Sequence, residues 1–361
     1  MSFNQLIKAS FLKYISRSQL RPLLINDYPK FLILMHQNIG DMIVCSPILR
    51  EIKIAFPNSN LQVIASQTNK DIALVNPYID NVLIYKNRWH RLLPLLMQLR
   101  RVNFDVAIEL EAKIVTRVIL MLKVIKPNCI LSVSKVAGRY GLAPQDVFPY
   151  DYYTDAKLKH QRDTCLDILR LLNIKCKSKK YDVFYSEKNK EKSLSFLSSF
   201  DSSKIIVGLN ISGTSPENRI FDDDVKKIIL GLNSISNDIV IILLHKPEDR
   251  KWIKRLITDD ISSFVFPSYP TNSVLDLAAL VDSVDLVISP DTSIVHMACA
   301  FEKPLLAIYK KDIAGFEAWR PKSSCHDVVF SKDYDSLKSL NIDAIITKSS
   351  ELISSHIEKK L

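Results

Sequence analysis

The stretch that decides the fold is residues 31–65, FLILMHQNIGDMIVCSPILREIKIAFPNSNLQVIA. The apolar run at 31–36 predicts a short buried strand, and residues 37–40 have the composition of a turn. A helical pattern follows as far as residue 56, and residues 57–60 interrupt it before a second apolar run at 61–65. A strand, a helix and another strand in this order predict a βαβ unit of a parallel sheet.

The same alternation continues on both sides of a polar connection. Further strands are predicted at 81–85 and 106–110, and a Ser- and Lys-rich segment near 175–204 then reads as exposed connecting material. After it, strands are predicted at 205–210, 239–244, 264–266, 285–289 and 305–309, with helices between them. The prediction is therefore α/β, with two Rossmann-like domains at residues 1–185 and 186–361.

Composition limits the kinds of site that this chain can contain. With seven glycines in 361 residues, a glycine-rich phosphate loop is excluded, and the net charge of +10 favours anionic partners without choosing among them. The cysteines show no CxxC pair and no Cys/His ligand spacing, so we expect neither zinc nor a disulfide framework. No cofactor is expected for the chain. Free buried thiols fit a reducing cytosol.

Residues 1–30 allow two interpretations. They lack the apolar core and cleavage site of a signal peptide, and the longest apolar runs of the chain are too short to span a bilayer. Leu6, Phe11 and Ile15 recur at helical spacing with Lys8 and Lys13 between them. The segment is either a basic amphipathic helix on a membrane surface or a helix packed on the protein itself.

The first candidate site follows the strand at 31–36, because ligands of such sheets lie at the carboxyl ends of strands. Asn38, Gly40 and Asp41 form this junction, and Ser46-Pro47 is a second helix-start signal. The helix therefore either begins at 41 and kinks or begins at 46. Asp41 is either a base that accepts a proton from a hydroxyl or a first-turn aspartate that stabilises the helix.

The second candidate site is residues 289–296, SPDTSIVH, after the strand at 285–289. Asp291, Thr292 and Ser293 occupy the first turn of a predicted helix, whose unpaired N–H groups favour an anion such as a diphosphate. His296 lies four residues after Thr292, on the same helix face. Taken singly, Asp291 would be a plain helix cap and His296 a core histidine.

A third, less specific site is the loop at 211–219, ISGTSPENR. The loop has the hydroxyl residues Ser212 and Thr214 on either side of Gly213, and Arg219 follows them. Such residues are suited to hold phosphate oxygens. The same residues are also compatible with an ordinary polar loop.

Several segments together resemble glycosyltransferase family 9, the heptosyltransferases of lipopolysaccharide synthesis. Residues 31–65 resemble the family's opening strand, Gly-Asp turn, helix and second strand, and NPYIDNVLIY at 76–85 resembles its next segment. HQRDTCLDILRLLNI at 160–174 is similar to the helix after the first domain. SVLDLAALVDSVDLVISPDTSIVHMACAFEKPLLAIY at 273–309 is similar to the most recognisable stretch of the family.

The resemblance implies a GT-B fold, two Rossmann-like domains with a cleft between them, with the acceptor on the N-terminal domain and the nucleotide sugar on the C-terminal one. It implies inverting transfer of heptose from ADP-heptose to a lipid-anchored core sugar, at the cytoplasmic face of the inner membrane and without an essential metal. Asp41 matches the catalytic base, Asp291 a donor-sugar contact and His296 a pocket residue. Thr292 and Ser293 match positions that meet the diphosphate.

The chain also departs from the family pattern. Ser293 stands where family members usually have glycine, and Asn218 stands where they usually have lysine, with Arg219 beside it. Arg219 is therefore the expected phosphate-binding cation. The glycine-rich turn expected near residues 245–247 and the Gly-Pro-Thr-like loop expected at 310–312 are absent.

These departures leave two alternatives beside ADP-heptose transfer. One keeps the fold and the chemistry but uses another nucleotide sugar, for a surface polysaccharide. The other is a non-catalytic glycan-assembly protein on this scaffold. Nucleic acid is not an expected partner, because the basic residues are dispersed and no aromatic-basic motif is present.

Overall fold

The computed structural model describes residues 2–16, 20–86, 88–147, 149–155, 159–213 and 215–356. Contacts divide the chain into two compact units, Met1–Lys180 and Tyr181–Leu361, called unit 1 and unit 2 below. The assignment of an acceptor to the first and a donor to the second stays a prediction.

Unit 1 is built around one parallel sheet of six strands, in the order β3-β2-β1-β4-β5-β6. The strands are β1 (Lys30–Met35), β2 (Asn60–Ala65), β3 (Asn81–Ile84), β4 (Val106–Glu109), β5 (Cys129–Ser132) and β6 (Tyr152–Tyr153). The helices are α1 (Phe3–Ser16), α2 (Ile39–Ala55), α3 (Lys70–Leu74), α4 (Trp89–Arg100), α5 (Thr116–Ile125), α6 (Gln161–Leu166) and α7 (Ile168–Leu171).

Unit 2 has a second six-stranded parallel sheet, in the order β12-β11-β10-β7-β8-β9. Its strands are β7 (Ile205–Asn210), β8 (Ile239–Leu244), β9 (Val265–Pro267), β10 (Leu286–Pro290), β11 (Leu305–Tyr309) and β12 (His326–Phe330). Its helices are α8 (Glu187–Leu197), α9 (Asp222–Ile235), α10 (Arg250–Leu256), α11 (Val274–Ser283), α12 (Ser293–Ala300), α13 (Ile313–Trp319) and α14 (Ile342–His356).

Both sheets have the Rossmann strand order 3-2-1-4-5-6 when the strands of each unit are numbered separately. Strands such as β1 and β8 are apolar and almost wholly buried, because helices cover both faces of a parallel sheet. The predicted α/β class is confirmed. The predicted strands are present within one residue at each end, whereas β5, β6 and β12 were not predicted.

Helix α2 begins at Ile39, so neither of the two predicted starts is correct. Pro47 lies inside the helix and has no N–H to offer to the carbonyl of Ile43. The hydroxyl of Ser46 donates to that same carbonyl oxygen at 2.7 Å. The Ser46-Pro47 pair therefore lies inside the helix and does not start it.

The cysteine expectation is wrong for one pair. Cys45 of α2 and Cys165 of α6 form a disulfide, with Cα atoms 5.9 Å apart, whereas Cys129, Cys176, Cys299 and Cys325 are free. The two partners are separated by 120 residues, so no local spacing could reveal the pair. The bond links the helix that carries Asp41 to the end of unit 1.

Within the described residues, no helix has the length and apolar character needed to cross a membrane.

Candidate functional site

In each sheet the chain reverses its direction of winding beside the first strand, at β1 and β4 in unit 1 and at β7 and β10 in unit 2. The loops after such strands diverge and leave a crevice, which is where ligands of this fold bind. Asp41 follows β1, and Asp291 follows β10. The two strongest candidate sites thus lie at the switch point of their own sheet.

Asp41 lies in the first turn of α2, where its carboxylate accepts a hydrogen bond. Its Oδ2 accepts a hydrogen bond from the backbone N–H of Asn38, the residue that caps the helix, at 3.1 Å. Burial raises the pKa of Asp41 above its ordinary value; the hydrogen bonds from Asn38 oppose this rise, and the negative charge of Glu111 adds to it. Gly40 is helical, in the same first turn, rather than part of a preceding loop.

Glu111 is held in place by a buried ion pair that the sequence analysis missed. Glu109 and Lys135 form this pair, and both side chains are almost completely buried. Glu109 accepts the backbone N–H of Glu111 at 2.9 Å, and the ammonium group of Lys135 donates to the carbonyl oxygen of Glu111. The side chain of Glu111 accepts a hydrogen bond from Gln37 Nε2 at 3.3 Å, which brings it to the loop before Asp41.

The same edge of unit 1 holds a half-buried histidine, His36. Burial lowers the pKa of His36; Glu111 opposes this effect and Arg117 adds to it. The His36 ring packs on Tyr85 at 5.2 Å between centroids, and the guanidinium of Arg117 lies over the same tyrosine at 5.0 Å. His36 is the last residue of the apolar run at 31–36, so nothing in the sequence set it apart.

At the switch point of unit 2, Asn210 joins the ends of β7 and β10. Its amide donates to the hydroxyls of Ser289 at 3.0 Å and Thr292 at 3.1 Å. Thr292 caps α12, because its hydroxyl also accepts the N–H of Ile294 at 3.3 Å, and Ser293 is the first helical residue. The prediction that Asp291 and Thr292 lie in the first turn is therefore wrong, since this cap starts the helix after them. This hydrogen-bond network fixes the N-terminus of α12 beside β7, and the positive end of the helix dipole there suits an anion.

Asp291 lines a pocket that has both apolar and charged residues in its lining. Desolvation by the surrounding protein raises the pKa of Asp291 to about 6. The positive charge of Lys310 opposes this rise, and the negative charge of Asp312 adds to it. The lining residues of the pocket are Asn218, Asp291, Ile308, Tyr309, Lys310, Asp312, Gly315, Phe316 and Leu337. Lys310 and Asp312 were noted in the sequence only as a departure from the family pattern.

His296 is buried in the body of unit 2. Only 3% of its surface is exposed, and its ring lies 6.1 Å from the rings of Tyr181 and Trp319. It is not among the described residues that line the pocket beside Asp291. Contact of His296 with a donor stays a prediction.

The polar side chains Ser212 and Arg219 of the loop after β7 are engaged with other residues of unit 2. Ser212 donates to Asp249 at 2.8 Å, and Arg219 is ion-paired with Asp222 at 3.1 Å. A Cβ on Gly213 would lie 2.3 Å from the carbonyl oxygen of Asn218, so only glycine fits there without a shift of the backbone. Thr214 lies outside the described residues.

A sequence model of glycosyltransferase family 9 (heptosyltransferase) matches residues 93–341. The chain belongs to that family, and it is a glycosyltransferase. A curated relative, named "Putative lipopolysaccharide heptosyltransferase 4" in Escherichia coli strain K12, is 25% identical over 312 residues, which are 84% of this chain and 81% of the relative.

Solved structures share the fold. A family 9 glycosyltransferase from Veillonella parvula superposes with a TM-score of 0.75 at 17% identity, over 93% of this chain and 100% of its own. ADP-heptose lipopolysaccharide heptosyltransferase II of E. coli gives 0.71 at 14% identity, over 90% and 99%. E. coli heptosyltransferase WaaC, solved with ADP, gives 0.68 at 16% identity, also over 90% and 99%. The predicted family and the predicted GT-B fold are therefore confirmed.

Proposed function

We propose that this glycosyltransferase moves heptose from ADP-heptose to a lipopolysaccharide or lipooligosaccharide core acceptor, with inversion and with Asp41 as general base. The observation that carries the proposal is Asp41 itself, a carboxylate of raised pKa at the switch point of unit 1. The names of its relatives, a lipopolysaccharide heptosyltransferase and an ADP-bound heptosyltransferase, support the choice of donor and acceptor.

In the proposed reaction the acceptor oxygen attacks the anomeric carbon of the donor sugar. Asp41 takes the proton of the acceptor hydroxyl as the new carbon–oxygen bond forms. The bond between the anomeric carbon and the diphosphate breaks, and its electron pair leaves on the diphosphate oxygen. A single displacement of this kind inverts the anomeric carbon and needs no covalent enzyme intermediate.

The charge that develops on the departing diphosphate needs stabilisation. Unit 2 would supply it, because Thr292 and Ser293 start α12 at the switch point and its N–H groups are directed there. In this proposal unit 1 binds the acceptor through the Asn38–Asp41 turn, and unit 2 binds the donor through residues 291–296 and the loop at 211–219.

A panel of nucleotides tests the donor. Thermal unfolding of the purified chain is followed with ADP, UDP and GDP, since a ligand that binds the folded state raises its stability. We expect ADP to stabilise the chain most, and ADP-heptose with a truncated lipopolysaccharide acceptor to release ADP. Stabilisation by UDP or GDP but not by ADP would reject heptose and leave the transferase reaction in place.

Two residues are the reason for including UDP and GDP in the panel of nucleotides. Ser293 and Asn218 stand where the family pattern has glycine and lysine, and both are positions near the donor phosphates in the family. A hexose or N-acetylhexosamine nucleotide is therefore the competing donor.

We also propose contact with the cytoplasmic face of the inner membrane through helix α1. One side of α1 packs inward through Ala9 and Leu12, whereas Phe3, Ile7 and Phe11 are 78%, 53% and 47% exposed. An apolar helix face that also carries lysines suits an anionic lipid surface.

Vesicle binding tests that contact. Triple replacement of Phe3, Ile7 and Phe11 by serine leaves the inward face intact, and we expect it to reduce sedimentation with phosphatidylglycerol vesicles severalfold. Serine at Leu230 and Ile313 of unit 2, which are similarly exposed, serves as the matched control. Equal sedimentation of the wild type and the α1 variant would reject the contact.

A further inference from the structure

The pocket beside Asp291 contains a cation that the family pattern does not place there. Among the described residues that line it, Lys310 is the single cation, facing two carboxylates, Asp291 and Asp312. Ile308 and Phe316 form apolar parts of the wall. A lone lysine amid carboxylates either only neutralises them or also binds an anionic ligand.

Lys310 is placed close to Asp291 by the sheet. Strands β10 and β11 pair in parallel with Pro290 opposite Ile308, and the N–H of Asp291 donates to the carbonyl oxygen of Ile308 at 3.1 Å. Lys310 follows β11 by one residue, as Asp291 follows β10. The two side chains therefore leave adjacent strand ends at the same edge of the sheet, next to the start of α12.

The cation expected from the sequence is engaged elsewhere. Arg219 is ion-paired with Asp222, and its guanidinium lies 4.4 Å from the centroid of the Trp252 ring, which also donates to Asp222 at 3.1 Å. Asn218, at the position of the family lysine, is neutral but lines the same pocket as Lys310. Among the described lining residues, the positive charge of this pocket therefore comes from Lys310 and not from the loop at 211–219.

We infer that Lys310, rather than Arg219, is the cation that binds the donor diphosphate and stabilises it as it leaves. This inference rests on the proposed function. A lysine ammonium is a compact charge suited to phosphate oxygens, and it acts together with the N–H groups of α12. Lys310 also offsets the repulsion between the diphosphate and the two carboxylates of the pocket.

The test separates charge recognition from structural support. Affinities for ADP and for uncharged adenosine are measured by calorimetry at pH 7.5 on the wild type and on Lys310→Gln, Lys310→Arg, Arg219→Gln and Lys311→Gln. Loss of one charge-assisted contact is expected to weaken ADP binding about 10- to 100-fold in Lys310→Gln. Adenosine binding stays within about twofold of the wild type, because the neutral nucleoside makes no charge-assisted contact.

The other variants are matched controls. Lys310→Arg keeps the charge and recovers most of the ADP affinity. Lys311→Gln removes the neighbouring charge, which lies over the ring of Tyr334, and leaves ADP binding unchanged. Arg219→Gln has a smaller effect on ADP binding than Lys310→Gln.

Two results would overturn the inference in distinguishable ways. If Lys310→Gln binds ADP as tightly as the wild type, or if only Arg219→Gln loses affinity, Lys310 merely neutralises carboxylates and the proposed transferase function stands. If the wild type binds none of ADP, UDP and GDP, the proposed donor site itself fails, and the role of Lys310 fails with it. Should UDP or GDP bind instead, the same comparison is made with that nucleotide and its nucleoside.

Discussion

At the scale of single residues, Asp41 combines a structural role at the start of α2 with the proposed role of general base. One carboxylate oxygen accepts the N–H of Asn38 and so stabilises the start of α2. The same hydrogen bond orients the carboxylate, while burial and Glu111 raise its pKa toward neutrality. A base of raised pKa takes a proton more readily from a hydroxyl, provided that it is still ionised at the working pH.

The negative charge of Glu111 should therefore shift the acidic limb of the pH–rate profile, through its effect on the pKa of Asp41. Glu111→Gln removes a negative charge but keeps an oxygen that can accept from Gln37, so the pKa of Asp41 falls. Since the proposed base acts in its ionised form, we expect the acidic limb of kcat/KM to move to lower pH. Glu111→Asp retains the charge and is the control; an unchanged limb in Glu111→Gln would show that Glu111 does not influence the base.

The residues that the sequence analysis missed are those whose role depends on distant partners. Glu109 and Lys135 are 26 positions apart, and each looks like an ordinary polar residue near the end of a strand. Only the pairing of β4 with β5 brings them together. Asp41 and Asp291 were predictable because a strand end, a turn and a helix start are all local patterns.

At the scale of elements, the strands could be predicted because burial on both faces leaves continuous apolar runs. Helix starts were harder, as α2 shows. Ser46-Pro47 is a start signal in isolation, but the Ser46 hydroxyl satisfies the Ile43 carbonyl that Pro47 leaves without a partner. The helix can therefore run from Ile39 to Ala55, with Asp41 in its first turn.

The disulfide between α2 and α6 leads to a prediction about the stability of the chain. Closure of a loop of 120 residues by Cys45–Cys165 restricts the unfolded chain, and such a link contributes up to about 5 kcal/mol of stability. Reduction should lower the denaturant midpoint of the wild type, and it should have no such effect on a Cys45→Ser/Cys165→Ser variant. Labelling of all six cysteines in the unfolded, unreduced protein would show that the bond is absent.

At the scale of the whole molecule, the repeated strand order explains why the candidate residues occur where they do. Each unit has a single switch point, and the sequence places an aspartate after one of its two central strands. Asp41 follows β1 in the first turn of α2, and Asp291 follows β10 immediately before the cap of α12. The alternation of strands and helices in the sequence predicts the class of fold, but it does not predict the order of the strands in each sheet. It took the structure to show that Lys310 and Asn218 share a pocket.

Asp41 is the proposed base of the sugar transfer, and its replacement is the most direct test of that reaction. Asp71 offers a matched control, because it is a first-turn aspartate of a helix in the same unit, α3, and has no place in the proposed reaction. Asparagine at either position keeps an oxygen that can accept the hydrogen bond of a helix start.

The most direct test is the rate of ADP release from ADP-heptose with a truncated lipopolysaccharide acceptor, measured on the wild type, Asp41→Asn and Asp71→Asn. Loss of a general base predicts a rate about 10²- to 10⁴-fold lower for Asp41→Asn, with ADP affinity and unfolding unchanged, and a wild-type rate for Asp71→Asn. A wild-type rate in folded Asp41→Asn would contradict the assignment of Asp41 as the base.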